Sequence, residues 1–178
     1  MILELLVALA LGGPPLPPDV KPWPIGVGPG FRPAAAPAAV LKGEPVGRFR
    51  CAQDGGRRFG VHVELFIRRQ VLLVPSGVGV ARAGRCSYPL RTRDPTGVIE
   101  IRRGTRATLG DLFRLWGQPL APRRIAGFSS AAPLLAFVGG KRWRGDVRAI
   151  PLKRHAQIVL ELGGYVPPHP RYLFADGL

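Results

Sequence analysis

The sequence contains no asparagine, one methionine, four glutamines and two cysteines. Loss of such thermolabile residues is typical of heat-adapted proteins, and the richness in arginine, alanine, glycine and proline is typical of a high-GC genome. Codon bias alone would give the same composition, so the thermophile interpretation stays open. No apolar run reaches the roughly 18–20 residues that a membrane-spanning helix needs, which excludes a polytopic membrane protein.

Acidic residues are also scarce, because 11 Asp and Glu oppose 26 Lys and Arg and leave a net charge of +15. The apolar content of 46% is nevertheless sufficient for a hydrophobic core, so wholesale disorder is excluded. A chain of 178 residues has room for one domain of ordinary size with tails.

The segment 1–13 is a short apolar stretch that ends in small residues. Its length is typical of the hydrophobic part of an export signal and is too short to span a bilayer. Two details oppose this interpretation, since no Lys or Arg precedes the stretch and Glu4 interrupts it. A misassigned start codon would explain the missing cations, and a short packing helix is the alternative. Export is the interpretation that we favour.

Prolines concentrate in residues 14–45, which hold ten of the 20. Together with the alanine-rich run at 34–39, they predict an extended, polyproline-like linker. The folded domain is therefore predicted to occupy residues 46–163, followed by an extended tail at 164–178.

The hydrophobic pattern changes to a period of two within this domain. From Phe59 to Ile67, apolar residues alternate with a second set that includes His62 and Glu64. Such alternation predicts a half-buried strand with one apolar face and one polar face. The apolar segment Val71–Val80 follows a short turn and completes a predicted hairpin.

The segment Thr108–Gly117 predicts the one clear helix. Thr108 is a suitable N-cap, Asp111 returns its hydrogen bond three residues later, and Gly117 suits a left-handed stop. Further strands are predicted at Ser87–Arg93, Gly97–Arg102, Leu134–Val138, Lys141–Trp143 and Gln157–Leu162.

The order of hairpin, helix, second hairpin and last strand predicts an α+β fold with the helix packed on one sheet face. The runs TLGDLF from Thr108 and IPLKRHAQIVLEL from Ile150 resemble ubiquitin-like β-grasp domains. In those domains a TL-x-x-LL helix crosses the sheet and an I-x-L-x-x-x-x-x-I segment supplies the last strand. The resemblance implies a β-grasp-like mixed sheet with one crossing helix, preceded by the Pro-rich extended segment.

A second resemblance is carried by several motifs in a fixed order. They are Cys51, GVHVE at 60–64, CSYPLRTRD at 86–94, GVIE at 97–100, the helix at 108–117 and IPLKRHAQIVL at 150–160. Over most of 51–178 the chain resembles a group of uncharacterised, exported, His-rich proteins of high-GC bacteria. Their motifs read H-x-H-x-H, LHTHD-x-x-G-x-IH and TLG-x-x-F-x-x-WG. Alternating histidines on one sheet face imply a site for Zn, Cu or Ni in that group.

This chain departs from the pattern at the histidines themselves. Other residues replace histidine at Gly60, Glu64, Arg91, Arg93 and Glu100. His62 is the one remaining candidate metal ligand, and cationic arginine does not ligate metals. If the strands are neighbours, two carboxylates meet two guanidiniums beside His62. We therefore expect an ion-pair cluster in place of the metal site, able to bind a small anion through its two arginines. Residual metal binding is the alternative, and no cofactor is expected.

The two cysteines, Cys51 and Cys86, precede segments that are expected to lie side by side. An even count in an exported domain predicts one disulfide, whereas two buried free thiols would be expected in a cytosolic protein.

No motif predicts catalysis, so we expect a non-enzyme. His155 and His169 lie outside the candidate face and are interpreted as surface or packing residues. The favoured function is an exported binding or assembly domain in the periplasm or cell envelope, contacting another protein or an anionic envelope surface. Membrane association through the segment 1–13, acting as a short anchor, stays open. The charge of +15 keeps a nucleic-acid or anionic-polymer binder as an alternative, although the arginines are scattered as pairs. A metal-binding protein is the third candidate.

Overall fold

The computed structural model describes residues 34–53, 55–82, 86–166 and 172–178. The predicted export segment 1–13 lies outside these residues, as does most of the predicted linker. The strands are β1 Ala34–Ala35, β2 Arg58–Ile67, β3 Gln70–Leu73, β4 Leu90–Arg91, β5 Val98–Arg102, β6 Leu120–Ala121, β7 Arg124–Ile125, β8 Phe128–Ser129, β9 Leu135–Val138, β10 Lys141–Arg142 and β11 Gln157–Leu162. The one α-helix of the described residues is α1, Leu109–Trp116.

The main sheet is built around two hairpins and a central parallel pair. Its strand order is β1-β3-β2-β11-β9-β10, and β11 is parallel to β2 but antiparallel to β9. Strand β5 pairs with the first half of β2, and β4 pairs with β5. Together, two hairpins, a central parallel pair and one helix make a β-grasp-like arrangement. The predicted α+β class with a mixed sheet and a single helix is confirmed.

A second, smaller sheet contains β6, β7 and β8 in that order. Its strands were not among those predicted from the sequence, because each has only two residues. Two residues are too few to establish a period-two pattern, so these strands leave no signal in the sequence.

The alternation of β2 places two sets of side chains on opposite faces as predicted, but the strand is not half-buried, because Arg58, His62 and Phe66 on the second face are also buried. Val61, Val63 and Leu65 are at most 2% exposed and belong to the hydrophobic core. The apolar side of α1 contributes Leu112 and Trp116 to the same core, with both side chains fully buried. One sheet face is therefore apolar and lies in the core with α1, and the other is available for polar side chains.

Both ends of α1 agree with the capping prediction. The Asp111 N–H donates to Thr108 Oγ1 over 3.4 Å, and the Thr108 N–H donates to Asp111 Oδ2 over 3.0 Å. Gly117 adopts a left-handed conformation at φ 74° and ends the helix. A Cβ atom at this position would also come within 2.7 Å of the Ala39 Cβ, so both the backbone and the packing favour glycine there.

Residues 34–45, the described part of the predicted linker, pack against the domain. The Ala39 N–H donates to the Trp116 carbonyl over 2.9 Å, and the Trp116 Nε1–H donates to the Ala36 carbonyl over 3.2 Å. The packed unit therefore begins before Val46, where the composition placed its start. Proline and alanine richness predicts an extended backbone, but it does not reveal whether that backbone is packed.

Cys51 and Cys86 form a disulfide with a Cα–Cα distance of 5.5 Å. Their chain neighbours Ala52 and Ser87 exchange two backbone hydrogen bonds of 3.1 and 2.9 Å, so the two segments lie side by side as predicted. The disulfide prediction is confirmed. A disulfide in a small domain indicates an oxidising compartment outside the cytosol.

None of the helices among the described residues is long and apolar enough to cross a membrane.

We expect the double change Cys51→Ser and Cys86→Ser to lower the free energy of unfolding by about 3–4 kcal/mol. The disulfide closes a loop of 35 residues, and its loss restores conformational entropy to the unfolded chain. Urea denaturation of the native and variant proteins measures the difference. Equal stability would show that the hydrogen bonds between Ala52 and Ser87 suffice to hold these segments together.

Candidate functional site

The side of the sheet opposite the core carries most of the predicted site residues, and we call it the polar face. It consists of Arg58, Gly60, His62 and Glu64 of β2 together with their register partners on β4, β5 and β11. Strand pairing places Gly60 beside Glu100, and Glu100 beside Arg91. Because paired residues lie on the same side of a sheet, three strands contribute charged side chains to this face.

Glu100 joins two arginines, as the sequence predicts. Arg91 Nε donates to Glu100 Oε2 over 2.8 Å, and Arg93 Nε lies 2.7 Å from Glu100 Oε1. Arg91 and Glu100 are buried, whereas the side chain of Arg93 is 68% exposed. The carboxylate therefore has one buried and one exposed guanidinium partner, an arrangement of strong charge-assisted bonds.

Arg58 and Arg102 face each other at the next register position, and the sequence analysis did not include them. Arg58 donates to the Pro89 carbonyl over 3.0 Å and to Ser87 Oγ over 3.1 Å. Nε and Nη2 of Arg102 are buried and have no hydrogen-bond partner among the described residues. Burial lowers the pKa of Arg102, and repulsion from Arg58 and Arg91 lowers it further.

Arg58 and Arg102 could have been predicted as residues of this face from their positions in the sequence. Arg58 is in phase with His62 on β2, and Arg102 is in phase with Glu100 on β5. The same period-two argument that selected His62 and Glu100 therefore also selects the two arginines. We call Arg58, Arg91, Arg93 and Arg102 around Glu100 the arginine end of the polar face.

His62 and Glu64 form a second group farther along β2. His62 Nδ1 lies 3.5 Å from Glu64 Oε1, and His62 Nε2 lies 3.2 Å from the Thr96 carbonyl. Glu64 is four residues beyond Gly60, the register partner of Glu100, which corresponds to about 13 Å along a strand. The five predicted residues therefore share one face, but they form two groups rather than a single cluster.

The Glu64 carboxyl group lies in a poorly solvated environment. Its side chain is 17% exposed, and burial raises the pKa of Glu64 to about 7. Near neutral pH this group is therefore divided between its protonated and ionised forms, unlike an ordinary surface glutamate.

The last part of the tail, 172–178, crosses the polar face. Tyr172 stacks on the His62 ring with 4.1 Å between centroids. Phe174 lies over Gly60, where a Cβ atom would come within 2.6 Å of the ring. The tail therefore fills the space that a larger side chain at position 60 would need.

His155 holds the end of this tail, in agreement with its interpretation as a packing residue. Its ring stacks on Phe174 with 4.6 Å between centroids, and its Nε2 lies 2.7 Å from the Leu178 O atom. Its own backbone N–H donates to the Gly60 carbonyl over 2.8 Å, so the residue lies at the border of the polar face. His169 lies outside the described residues.

Within the described ranges, no three or more His, Cys, Asp or Glu residues are grouped so that they could hold a metal ion. His62 has Glu64 beside it, and its ring is covered by Tyr172. A metal at His62 therefore stays an expectation that derives from the resemblance.

Comparison of the chain with protein-family models, with curated proteins and with solved structures finds no match. A functional assignment therefore depends on the geometry of the polar face.

We expect Glu100→Gln to lower the free energy of unfolding by about 3 kcal/mol, because it removes the carboxylate that a buried and an exposed guanidinium share. Urea denaturation measures the change. Glu44→Gln is the matched control, since Glu44 is exposed and should change stability by less than about 0.5 kcal/mol. Equal stability of the two variants would contradict a structural role for the ion pairs.

Glu64→Gln should stabilise the protein at pH 8 and have little effect at pH 4.5. Burial raises the folded-state pKa of Glu64 above its unfolded value, so the folded state holds the proton longer and loses stability as pH rises from about 4.5 to about 7. A shift from 4.5 to about 7 corresponds to about 3 kcal/mol. Denaturation of both proteins at several pH values tests this, and a difference independent of pH would contradict it.

Proposed function

We propose that this chain is an exported binding or assembly domain that recognises anionic groups with the arginine end of its polar face. We place the protein in the periplasm or the cell envelope, where the disulfide would persist. The partner is an anionic envelope polymer or the acidic surface of another protein. The domain binds its partner without covalent chemistry.

The observation that carries the proposal is the close spacing of several arginine side chains at this end of the polar face. Arg91 and Arg93 contact Glu100, Arg58 lies in the same cavity wall, and Arg102 is the register partner of Arg58, while Asp176 of the tail lies at the rim. Burial lowers the pKa of Arg102, and the neighbouring charges of Arg58 and Arg91 lower it further. An anion bound nearby would relieve the repulsion among these charges.

A cavity of about 470 Å³ adjoins these side chains and would admit such an anion. Its walls include Arg58, Arg91 and Arg93, together with the tail residues 175–178. Arg93 is suited to recognition because its side chain is largely exposed, and the atom that lies 2.7 Å from Glu100 Oε1 is its Nε. The remaining guanidinium N–H groups match the planar geometry of a carboxylate or phosphate.

Calorimetric titration with inorganic pyrophosphate tests the site directly. We expect Arg93→Gln to lower the affinity about tenfold, because it removes a charged hydrogen-bond donor. Its stability should stay within about 0.5 kcal/mol, since the side chain is mostly exposed. Arg123→Gln is the control for the loss of one positive charge, because Arg123 is exposed and lies beside the small sheet. Equal weakening by both variants would contradict a localised site.

The same proteins distinguish the two alternative functions. Steep salt-dependent retention on duplex DNA, unchanged in Arg93→Gln, would favour a nucleic-acid binder that uses its scattered arginines. Tight stoichiometric binding of Zn²⁺, Cu²⁺ or Ni²⁺ that disappears in His62→Ala would favour residual metal binding.

A further inference from the structure

A second cavity lies on the polar face, away from the arginine end. It has a volume of about 140 Å³ and is walled by Glu64 of β2, Glu161 of β11, Phe137 of β9 and Tyr165. A cavity of about 150 Å³ in another protein accommodates benzene, so this one has room for an apolar body of about four to six carbons. Its walls combine carboxylates with aromatic rings.

Glu161 is the unusual member of this lining. The residue is 1% exposed, and its Oε2 is buried without a hydrogen-bond partner among the described residues. Burial raises the pKa of Glu161, while a backbone hydrogen bond from Val166 and the charge of Arg142 lower it. A buried carboxylate oxygen without a donor is unfavourable, so a ligand that supplies a donor would be stabilised here.

The aromatic walls add an independent preference for positive charge. The rings of Phe137 and Tyr165 lie 6.3 Å apart between centroids and are inclined by 57°. The Arg142 guanidinium already lies 5.5 Å from the Phe137 centroid. Aromatic faces attract cations through their quadrupole, so this part of the molecule favours a cation with an apolar stem.

We propose that this cavity binds a primary ammonium group on a short alkyl chain, either a free alkylamine or the end of a lysine side chain. The ammonium group pairs with the Glu161 carboxyl group in the wall of the cavity, and the alkyl chain contacts Phe137 and Tyr165. A neutral or anionic ligand would leave the carboxylate without a charged donor. A chain of net charge +15 repels free cations in general, so selective ammonium binding requires this local site. The inference does not depend on the arginine end.

Titration with n-butylammonium chloride, followed by NMR of the backbone amides, tests the site. We expect saturable binding at one site, with shifts at β9 and β11. n-Butanol is the neutral analogue of equal length and should bind at least about tenfold more weakly, because it lacks the charge-assisted bond. Glu161→Gln should weaken butylammonium binding by a similar factor, whereas Glu44→Gln should leave it unchanged.

Three results would overturn the proposal: equal affinity for butanol and butylammonium, wild-type affinity in Glu161→Gln, or no saturable binding by the folded native protein. If Glu161→Gln does not fold, Phe137→Leu takes its place. That variant should weaken butylammonium binding severalfold and leave butanol binding unchanged, and equal effects on both would contradict the inference.

A lysine-containing peptide in the same titration distinguishes the two sources of the ammonium group. Tighter binding of the peptide indicates a lysine side chain of another protein, and tighter binding of butylammonium indicates a free amine.

Discussion

The parallel pairing of β2 with β11 is the contact on which the rest of the structure depends. It aligns Gln157–Leu162 with His62–Ile67 and joins the two hairpins into one sheet. In this register Leu160 lies beside Leu65 on the core face, and Val159 lies beside Glu64 on the polar face. A shift by one residue would move each of these side chains to the opposite face. The hydrophobic core therefore fixes the register, and the register brings Glu64 and Glu161 together in the walls of the smaller cavity.

The polar face concentrates ionisable groups in a way that an ordinary solvated face does not. At one end, a single carboxylate, Glu100, holds guanidiniums from two neighbouring positions. At the other, Glu161 is buried and Glu64 is partly buried, and this burial raises the pKa of both. The tail lies between, with Tyr172 on His62. Such opposed environments on one sheet are consistent with two ligands of opposite charge, one for each proposed site.

Much of this site could be predicted from the sequence, because a period of two defines a face by itself. The same argument, applied to every strand, would also have selected Arg58, Arg102 and Glu161, which are in phase with the predicted residues. It could not have selected Tyr172 or Phe174. The tail has no period, and its position depends on contacts with His62 and His155 that are remote in the sequence.

The sequence by itself determined the features that depend on neighbouring residues. These are the two faces of β2 and the helix ends at Thr108 and Gly117, since alternation and capping act over one to four residues. Tertiary structure alone decided that His62 and Glu64 lie apart from Glu100, and that residues 34–45 pack on the domain. The reason is that these distances depend on strand register and on burial against distant segments, which no local pattern encodes.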